Sequence, residues 1–177
     1  MDNLLSRHLS VTAALSSHPG VLEEREADGN FSTSYKMARI PPRYAPASLG
    51  PRQQRLQRRA ILRSRRAYKR GKYVNRPRRN TFKSKPSGHV ARATKMYKLP
   101  MRPTRKLARA TGCSVTGLKK IVNKGEGAFY SSGSRPNQTA ASWARARLAS
   151  TLTGGPASRV DFKILEAHCK KKVARSY

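Results

Sequence analysis

The most constraining feature of this sequence is its charge: residues 36–109 contain 25 Lys or Arg and no Asp or Glu. Over the whole chain, 39 Lys and Arg stand against 8 Asp and Glu, which gives a formal net charge of +31. Charges of one sign at this density repel one another and oppose compaction unless a partner neutralises them. We therefore expect this segment to bind a polyanion, with an affinity that falls as the salt concentration rises.

Prolines recur through the basic segment, from Pro41 to Pro103. Because proline lacks an N–H, most of the segment cannot form a long helix or a central strand. The exception is the stretch PRQQRLQRRAILRSRRAYKRG, which begins with proline, ends with glycine and predicts one basic helix at about 52–70. Its apolar residues form a narrow stripe: Leu56, Ala60, Ile61, Leu62 and Ala67. The remainder of 36–103 is predicted to be an extended arm that a partner orders.

Helix caps and apolar spacing become readable from Thr104 onward and predict four helices, at 104–111, 115–123, 140–152 and 158–168. Apolar residues at helical spacing would pack them together: Trp143, Ala144, Leu148, Leu152, Val160, Ile164 and Leu165. The predicted fold class is therefore all-α, a small helical bundle with a long, basic, mostly irregular N-terminal arm. The predicted parts are an arm at 1–35, a basic extended arm at 36–103, a helical domain at 104–169 and a basic tail at 170–177.

The N-terminal 35 residues predict an amphipathic docking helix, with Leu4, His8, Val11 and Leu15 on one face. A mitochondrial presequence is the alternative, which Asp2 and the scarcity of arginine disfavour. No apolar run approaches the roughly 20 residues that cross a bilayer, so we expect no membrane span.

The stretch TRKLARATGCSVTGLKKIVNKG resembles the helix-turn-helix pattern of bacterial regulators. Gly112 would form the turn, and Ser114 would cap the second helix. The exposed side of that helix would enter a DNA major groove with the side chains of Thr116, Lys119, Lys120 and Asn123. A purely structural helix pair is the alternative, because Gly117 departs from the pattern and costs about 1 kcal/mol relative to alanine within a helix.

The segment GEGAFYSSGSRPNQT, residues 125–139, is rich in glycine, serine and amide side chains. With Arg135 it could cradle a phosphate through backbone N–H groups, although it lacks the GKS or GKT of a P-loop. The alternative is an ordered turn, in which Ser134, Asn137 and Thr139 bond to backbone groups ahead of the third helix.

Several kinds of site are not expected. Cys113 and Cys169 form no CxxC pair, so we expect neither a zinc site nor a disulfide framework, and predict two unreactive thiols. No pair of carboxylates and no Ser/His/Asp or Cys/His set stands out. We therefore expect no enzymatic activity, no cofactor and no small-molecule substrate.

The candidate polyanion-binding residues are cations of the predicted basic helix, of the segment after it, of the helix-turn-helix-like pair and of the glycine- and serine-rich segment. They are Arg55, Arg58, Arg59, Arg63, Arg65, Arg66, Lys69, Arg70, Lys72, Arg76, Arg78, Arg79, Lys119, Lys120 and Arg135.

Several stretches together resemble a family of uncharacterised basic proteins of the nucleocytoplasmic large DNA viruses, chloroviruses and mimivirus relatives among them. These stretches are MARIPPRY, RRAYKRGKYVNRP, TFKSKPSGHVARATKMY, LARATGCSVTGLKKIVNKGEGAFYSSGSRPNQTAASWARARLASTLTGG and VDFKILEAHC, over about residues 37–169. The most specific portion is YSSGSRPNQTAASWARARLASTLTGG. The resemblance implies a small basic virus protein with no established enzymatic activity.

Charge and arm architecture extend that implication to a hypothesis about function. The protein is predicted to be a minor capsid component on the inner side of a large icosahedral virus, present in the virion and in the host cell during assembly. Its partners would be capsid proteins, with genomic DNA or acidic protein surfaces against the arm. The alternatives are a DNA-condensing nucleoprotein that uses the helix-turn-helix-like pair, and a ribosomal-type RNA-binding protein.

Overall fold

The computed structural model describes residues 39–170, which contain seven α-helices and no β-strand. Two short 3-10 helices, Pro42–Tyr44 and Ala47–Leu49, come first. The α-helices are α1 (Gly50–Lys69), α2 (Gly88–Tyr97), α3 (Arg105–Thr111), α4 (Val115–Ser132), α5 (Ala140–Leu152), α6 (Pro156–Val160) and α7 (Phe162–His168). The predicted all-α bundle is confirmed for this part of the chain. The predicted N-terminal docking helix and tail residues 171–177 lie outside the described residues.

The centre of the fold is the packing of α4 against α5. Leu118 and Ile121 of α4 and Leu148 of α5 have no exposed surface. Gly125 lets the two helices approach closely, since a Cβ at this position would lie 2.7 Å from the Cα of Ala144. These three side chains belong to one buried apolar cluster, and other helices pack around α4 and α5.

Helix α4 is longer than the sequence predicts. We expected a helix at 115–123 and a loop from 125, whereas α4 continues through Gly125 and Gly127 to Ser132. Each glycine costs about 1 kcal/mol in a helix. Burial of Phe129, which is 1% exposed, and the close contact of Gly125 with α5 outweigh that cost.

The last predicted helix, at 158–168, is divided into α6 and α7 by Asp161. Pro156 occupies the first turn of α6, where its missing N–H breaks no helical bond. The carboxylate of Asp161 is fully buried and accepts hydrogen bonds from Arg147 and Thr151 of α5. The helix is therefore interrupted at the residue whose charged side chain is buried inside the bundle.

Helices α1 and α2 place the described part of the basic segment against the bundle. Helix α2 was not predicted; its Ala93 is fully buried, and the hydroxyl of Tyr97 donates to the carbonyl of Leu152 at 2.9 Å. In α1 the buried stripe differs from the predicted one. It consists of Gln57, Ile61, Ser64 and Ala67, whereas Leu56 is 37% exposed.

The prediction of two unpaired thiols is wrong: Cys113 and Cys169 form a disulfide. The bond joins the turn between α3 and α4 to the end of α7. Backbone hydrogen bonds flank it, from Ser114 N to His168 O at 2.7 Å and from Lys170 N to Gly112 O at 2.9 Å. The 56-residue separation gave no sign of the pairing, because only the packing of α7 on α4 brings the two cysteines together.

Candidate polyanion-binding surface

Helix α1 has one buried side and one side that carries exposed cations. Its buried residues follow one another at intervals of three and four from Gln57 to Ala67, so they share one side of the helix. The opposite side carries exposed cations, named here the α1 basic face: Arg52, Arg55, Arg58, Arg59, Arg63, Arg66, Lys69 and Arg70. All but Arg52 were predicted. Seven cations of the helix, and Arg70 directly after it, thus face outward on one surface.

Contacts along its length fix α1 to the rest of the fold. Ile61 is fully buried with Ile40 and Tyr44. Near one end, the Gln54 side-chain amide donates to the carbonyl of Ala45 at 2.8 Å. Further along, Arg65 Nη2 donates to the carbonyl of Ser132 at 2.6 Å. These contacts within the fold hold α1 against the rest of the chain.

Carboxylates are scarce around this face. Between residues 39 and 170 the acidic residues are Glu126, Asp161 and Glu166. The fully buried Asp161 pairs with Arg147 at 2.6 Å and with Lys124 at 3.2 Å, and these are the ion pairs found in that range. Neither of these ion pairs within residues 39–170 involves a residue of the α1 basic face.

Two predicted binding residues, Arg76 and Arg79, point into the protein instead. Arg76 donates to Ser64 Oγ at 3.2 Å, to the carbonyl of Phe129 at 3.0 Å and to Ser134 Oγ at 2.9 Å. Its guanidinium lies 3.6 Å from the centre of the Phe129 ring. Burial lowers the pKa of Arg76 to about 10. Arg79 is 9% exposed, whereas Lys72 and Arg78 are exposed and available to a partner.

The turn between α4 and α5 is hydrogen-bonded to the segment that carries these two arginines. Asn137 adopts a left-handed conformation, with φ of 60°. Its Oδ1 accepts from Arg79 N at 2.7 Å, and its Nδ2 donates to the carbonyls of Arg79 and Phe82 at 3.0 and 2.9 Å. Thr139 caps α5. The ordered-turn alternative accounts for these side chains, and Arg135 remains exposed.

Helices α3 and α4 form the predicted helix pair. Gly112 has φ of 68°, and Ser114 Oγ accepts from Gly117 N at 3.0 Å. The structure explains the unexpected glycine inside the second helix, because a Cβ on Gly117 would lie 2.4 Å from the Cβ of His168. The close approach of α7 therefore requires glycine at this position.

Helix α7 also contacts one of the four side chains that were predicted to read bases. Lys120 Nζ lies 3.0 Å from His168 Nε2, so this lysine is engaged within the fold. Thr116, Lys119 and Asn123 are exposed and share one side of α4, at intervals of three and four residues. All four predicted side chains are thus exposed, although Lys120 is also hydrogen-bonded to His168.

Sequence reasoning missed a group of three tyrosines at the end of α1, named here the tyrosine cluster. The rings of Tyr68 and Tyr130 stack at 6.1 Å with 12° between their planes. Tyr73 meets both edge to face, at 5.8 and 5.1 Å. The alternation of tyrosine with Lys69, Arg70 and Lys72 was a signal in the sequence, but the contribution of Tyr130 depends on the fold.

A family model described as a family of unknown function, DUF5824, matches residues 41–164. The chain belongs to this family. The matched DUF5824 region includes the α1 basic face, the tyrosine cluster and the α3–α4 pair, and it ends before Cys169. No curated protein and no solved structure matches the chain.

Two kinds of feature are absent from residues 39–170 of this DUF5824 chain. None of the helices there is long and apolar enough to cross a membrane. No three His, Cys, Asp or Glu residues in the same range are grouped so that they could hold a metal ion.

Proposed function

We propose that this protein is a structural virion protein, a minor capsid component on the inner side of the capsid of a large icosahedral double-stranded DNA virus. The observation that carries the proposal is the α1 basic face, a row of exposed cations on an internally anchored helix with no ion pair to it from the described residues. The sequence resemblance to proteins of large DNA viruses supplies the biological setting.

The shape of the α1 basic face suits an extended polyanion better than a small ligand. From Arg52 to Arg70 the helix runs about 27 Å at ~1.5 Å per residue. Most of its cations are arginines, whose planar guanidinium groups bind phosphates and carboxylates through two parallel hydrogen bonds. Such contacts hold a nucleic-acid backbone or an acidic protein surface without reading sequence. In the proposed role they join the capsid shell to its contents or to a neighbouring shell protein.

The location is tested by mass spectrometry of purified particles that are stripped stepwise with increasing salt. Retention of this protein with the shell fraction after the genome has been released is the expected result. Release together with DNA would instead identify a nucleoprotein. Absence from particles would overturn the proposal of a virion protein.

The role of the α1 basic face is tested by salt-dependent binding of the whole protein to a DNA duplex. Replacing Arg55, Arg59 and Arg66 by glutamine should reduce the slope of log affinity against log salt by about 2 to 3, since each phosphate contact contributes about 0.9. A matched control replaces three exposed cations outside α1, Arg145, Arg159 and Lys163, by glutamine. Equal effects of the two triple variants would contradict a special role for α1.

A second candidate function is sequence-preferring DNA binding by the α3–α4 pair. It is favoured by the exposed side of α4, where Thr116, Lys119 and Asn123 follow a capped N-terminus. Binding of this kind should survive moderate salt and discriminate among duplex sequences. Replacing Lys119 and Asn123 by alanine should abolish the discrimination, while the α1 triple variant should preserve it.

A further inference from the structure

The tyrosine cluster presents an aromatic ring to solvent beside a concentration of positive charge. Tyr73 is 69% exposed, although it contacts the rings of both Tyr68 and Tyr130. A large exposed aromatic side chain held in one place by its neighbours is typical of a binding surface.

We propose that the tyrosine cluster is a stacking site for unpaired bases of a single-stranded nucleic acid. The phosphates of that strand would contact the adjoining end of the α1 basic face. This inference goes beyond the proposed function, because a contact made by charge alone needs no exposed base and no aromatic ring.

The fold builds this site from two distant parts of the chain. Tyr68 and Tyr73 flank the end of α1, and Tyr130 comes from the last turns of α4. Gly127 of α4 leaves room for Tyr68, since a Cβ there would lie 3.1 Å from the tyrosine hydroxyl oxygen. The hydroxyl of Tyr130 lies 3.4 Å from Asn75 Oδ1, which ties α4 to the chain beyond Tyr73. The aromatic rings are thus held before any ligand arrives.

The positive charge beside the tyrosine cluster favours a negatively charged single strand as its ligand. Lys69, Arg70 and Lys72 lie between Tyr68 and Tyr73 in the sequence, and all three are exposed. Alternating cations and aromatic rings bind single strands, because the cations contact phosphates while unpaired bases stack on the rings. In a duplex the bases already stack on one another, so the exposed ring would add little to duplex affinity.

The test compares three labelled probes that bind the whole protein: a 12-nucleotide oligouridylate, a 12-nucleotide oligothymidylate and a DNA duplex with the same number of phosphates. Fluorescence anisotropy at several salt concentrations gives affinity and salt slope for each. The substitution Tyr73→Ser should weaken binding of the single strands by about tenfold, within the range of measured base–aromatic stacking. Its effect on the duplex and on every salt slope should be small, because no charge changes.

Two further variants separate the ring from its surroundings. Tyr73→Trp should keep the affinity for single strands, and its added indole emission should be quenched when they bind, compared with wild type, in which Trp143 is the sole tryptophan. Met96→Ser removes another exposed apolar side chain, 57% exposed on α2, and should leave single-strand binding unchanged. Thermal melting of each variant checks that the fold is retained.

Either equal weakening of all three probes by Tyr73→Ser or no weakening of any probe would overturn the stacking site. Neither result would affect the proposed function, which depends on the α1 triple variant and on particle fractionation. If the stacking site is supported, an oligodeoxyuridylate, which differs from the oligouridylate only in its sugar, decides between RNA and DNA as the ligand.

Discussion

Arg147 and Asp161 form a two-point ion pair in the interior, with Nη2 2.6 Å from Oδ1 and Nε 2.9 Å from Oδ2. Asp161 is fully buried, and Thr151 adds a hydrogen bond at 2.8 Å. Lys124 of α4 approaches the same carboxylate at 3.2 Å. One side chain thus joins α4, α5 and the junction of α6 with α7.

Replacement of Asp161 by asparagine should lower the free energy of unfolding by about 3 kcal/mol, because it leaves the partly buried guanidinium of Arg147 without a negative partner. Urea unfolding followed by circular dichroism measures the change. The matched control is Glu166→Gln on exposed α7 surface, which should change stability by less than about 0.5 kcal/mol. Similar losses in the two variants would argue against a special role for Asp161.

The same carboxylate should make stability depend on acid pH. Burial by itself raises the pKa of Asp161, but hydrogen bonds from Arg147 and Thr151, the charge of Arg147 and a hydrogen bond from Lys124 outweigh it, so the pKa is lowered. A lowered folded pKa contributes stability that is complete above the unfolded value of about 4 and is lost as the pH falls towards the folded value. Urea midpoints from pH 6 to pH 2 should therefore converge for wild type and Asp161→Asn. Parallel pH profiles would contradict this.

Reduction of the Cys113–Cys169 disulfide should lower stability. In a chain-entropy model, a bond across 56 residues contributes up to about 4 kcal/mol by constraining the unfolded state. Thermal melting with and without reductant measures the effect. The double variant Cys113→Ala/Cys169→Ala should melt near the reduced protein and be insensitive to reductant. A wild-type melting temperature that does not change on reduction would count against the bond.

Substitution of Arg76 should lower the stability of the protein, whereas substitution of Arg78 should weaken its contact with DNA. Arg76→Ala leaves Ser64 and Ser134 without their donor and should lower the free energy of unfolding by about 2 kcal/mol. Arg78→Ala, on the exposed side of the same segment, should leave stability unchanged and reduce the salt slope of duplex binding by about 1. Urea unfolding and anisotropy titrations measure the two effects, and an exchange of the two outcomes would contradict the assignment.

The sequence alone predicted the elements whose signals are local. Proline and glycine at its ends delimited α1, and Ser114 and Thr139 marked the starts of α4 and α5. These predictions succeeded because capping and periodicity depend on residues within a few positions of one another. The exposed cations of α1 other than Arg52 were also predicted, since a helix with so many arginines cannot bury them all.

Contacts between residues far apart in the sequence determined the other features of the fold and of the candidate site. The extension of α4 depends on Gly125 meeting Ala144, and the orientation of Arg76 depends on acceptors supplied by α1, Phe129 and Ser134. The sequence therefore determined the charge of this protein and most of its helices. Only the tertiary structure decided which cations face outward, which cysteines pair and which tyrosines meet, because contacts between residues far apart in the chain depend on how the helices pack.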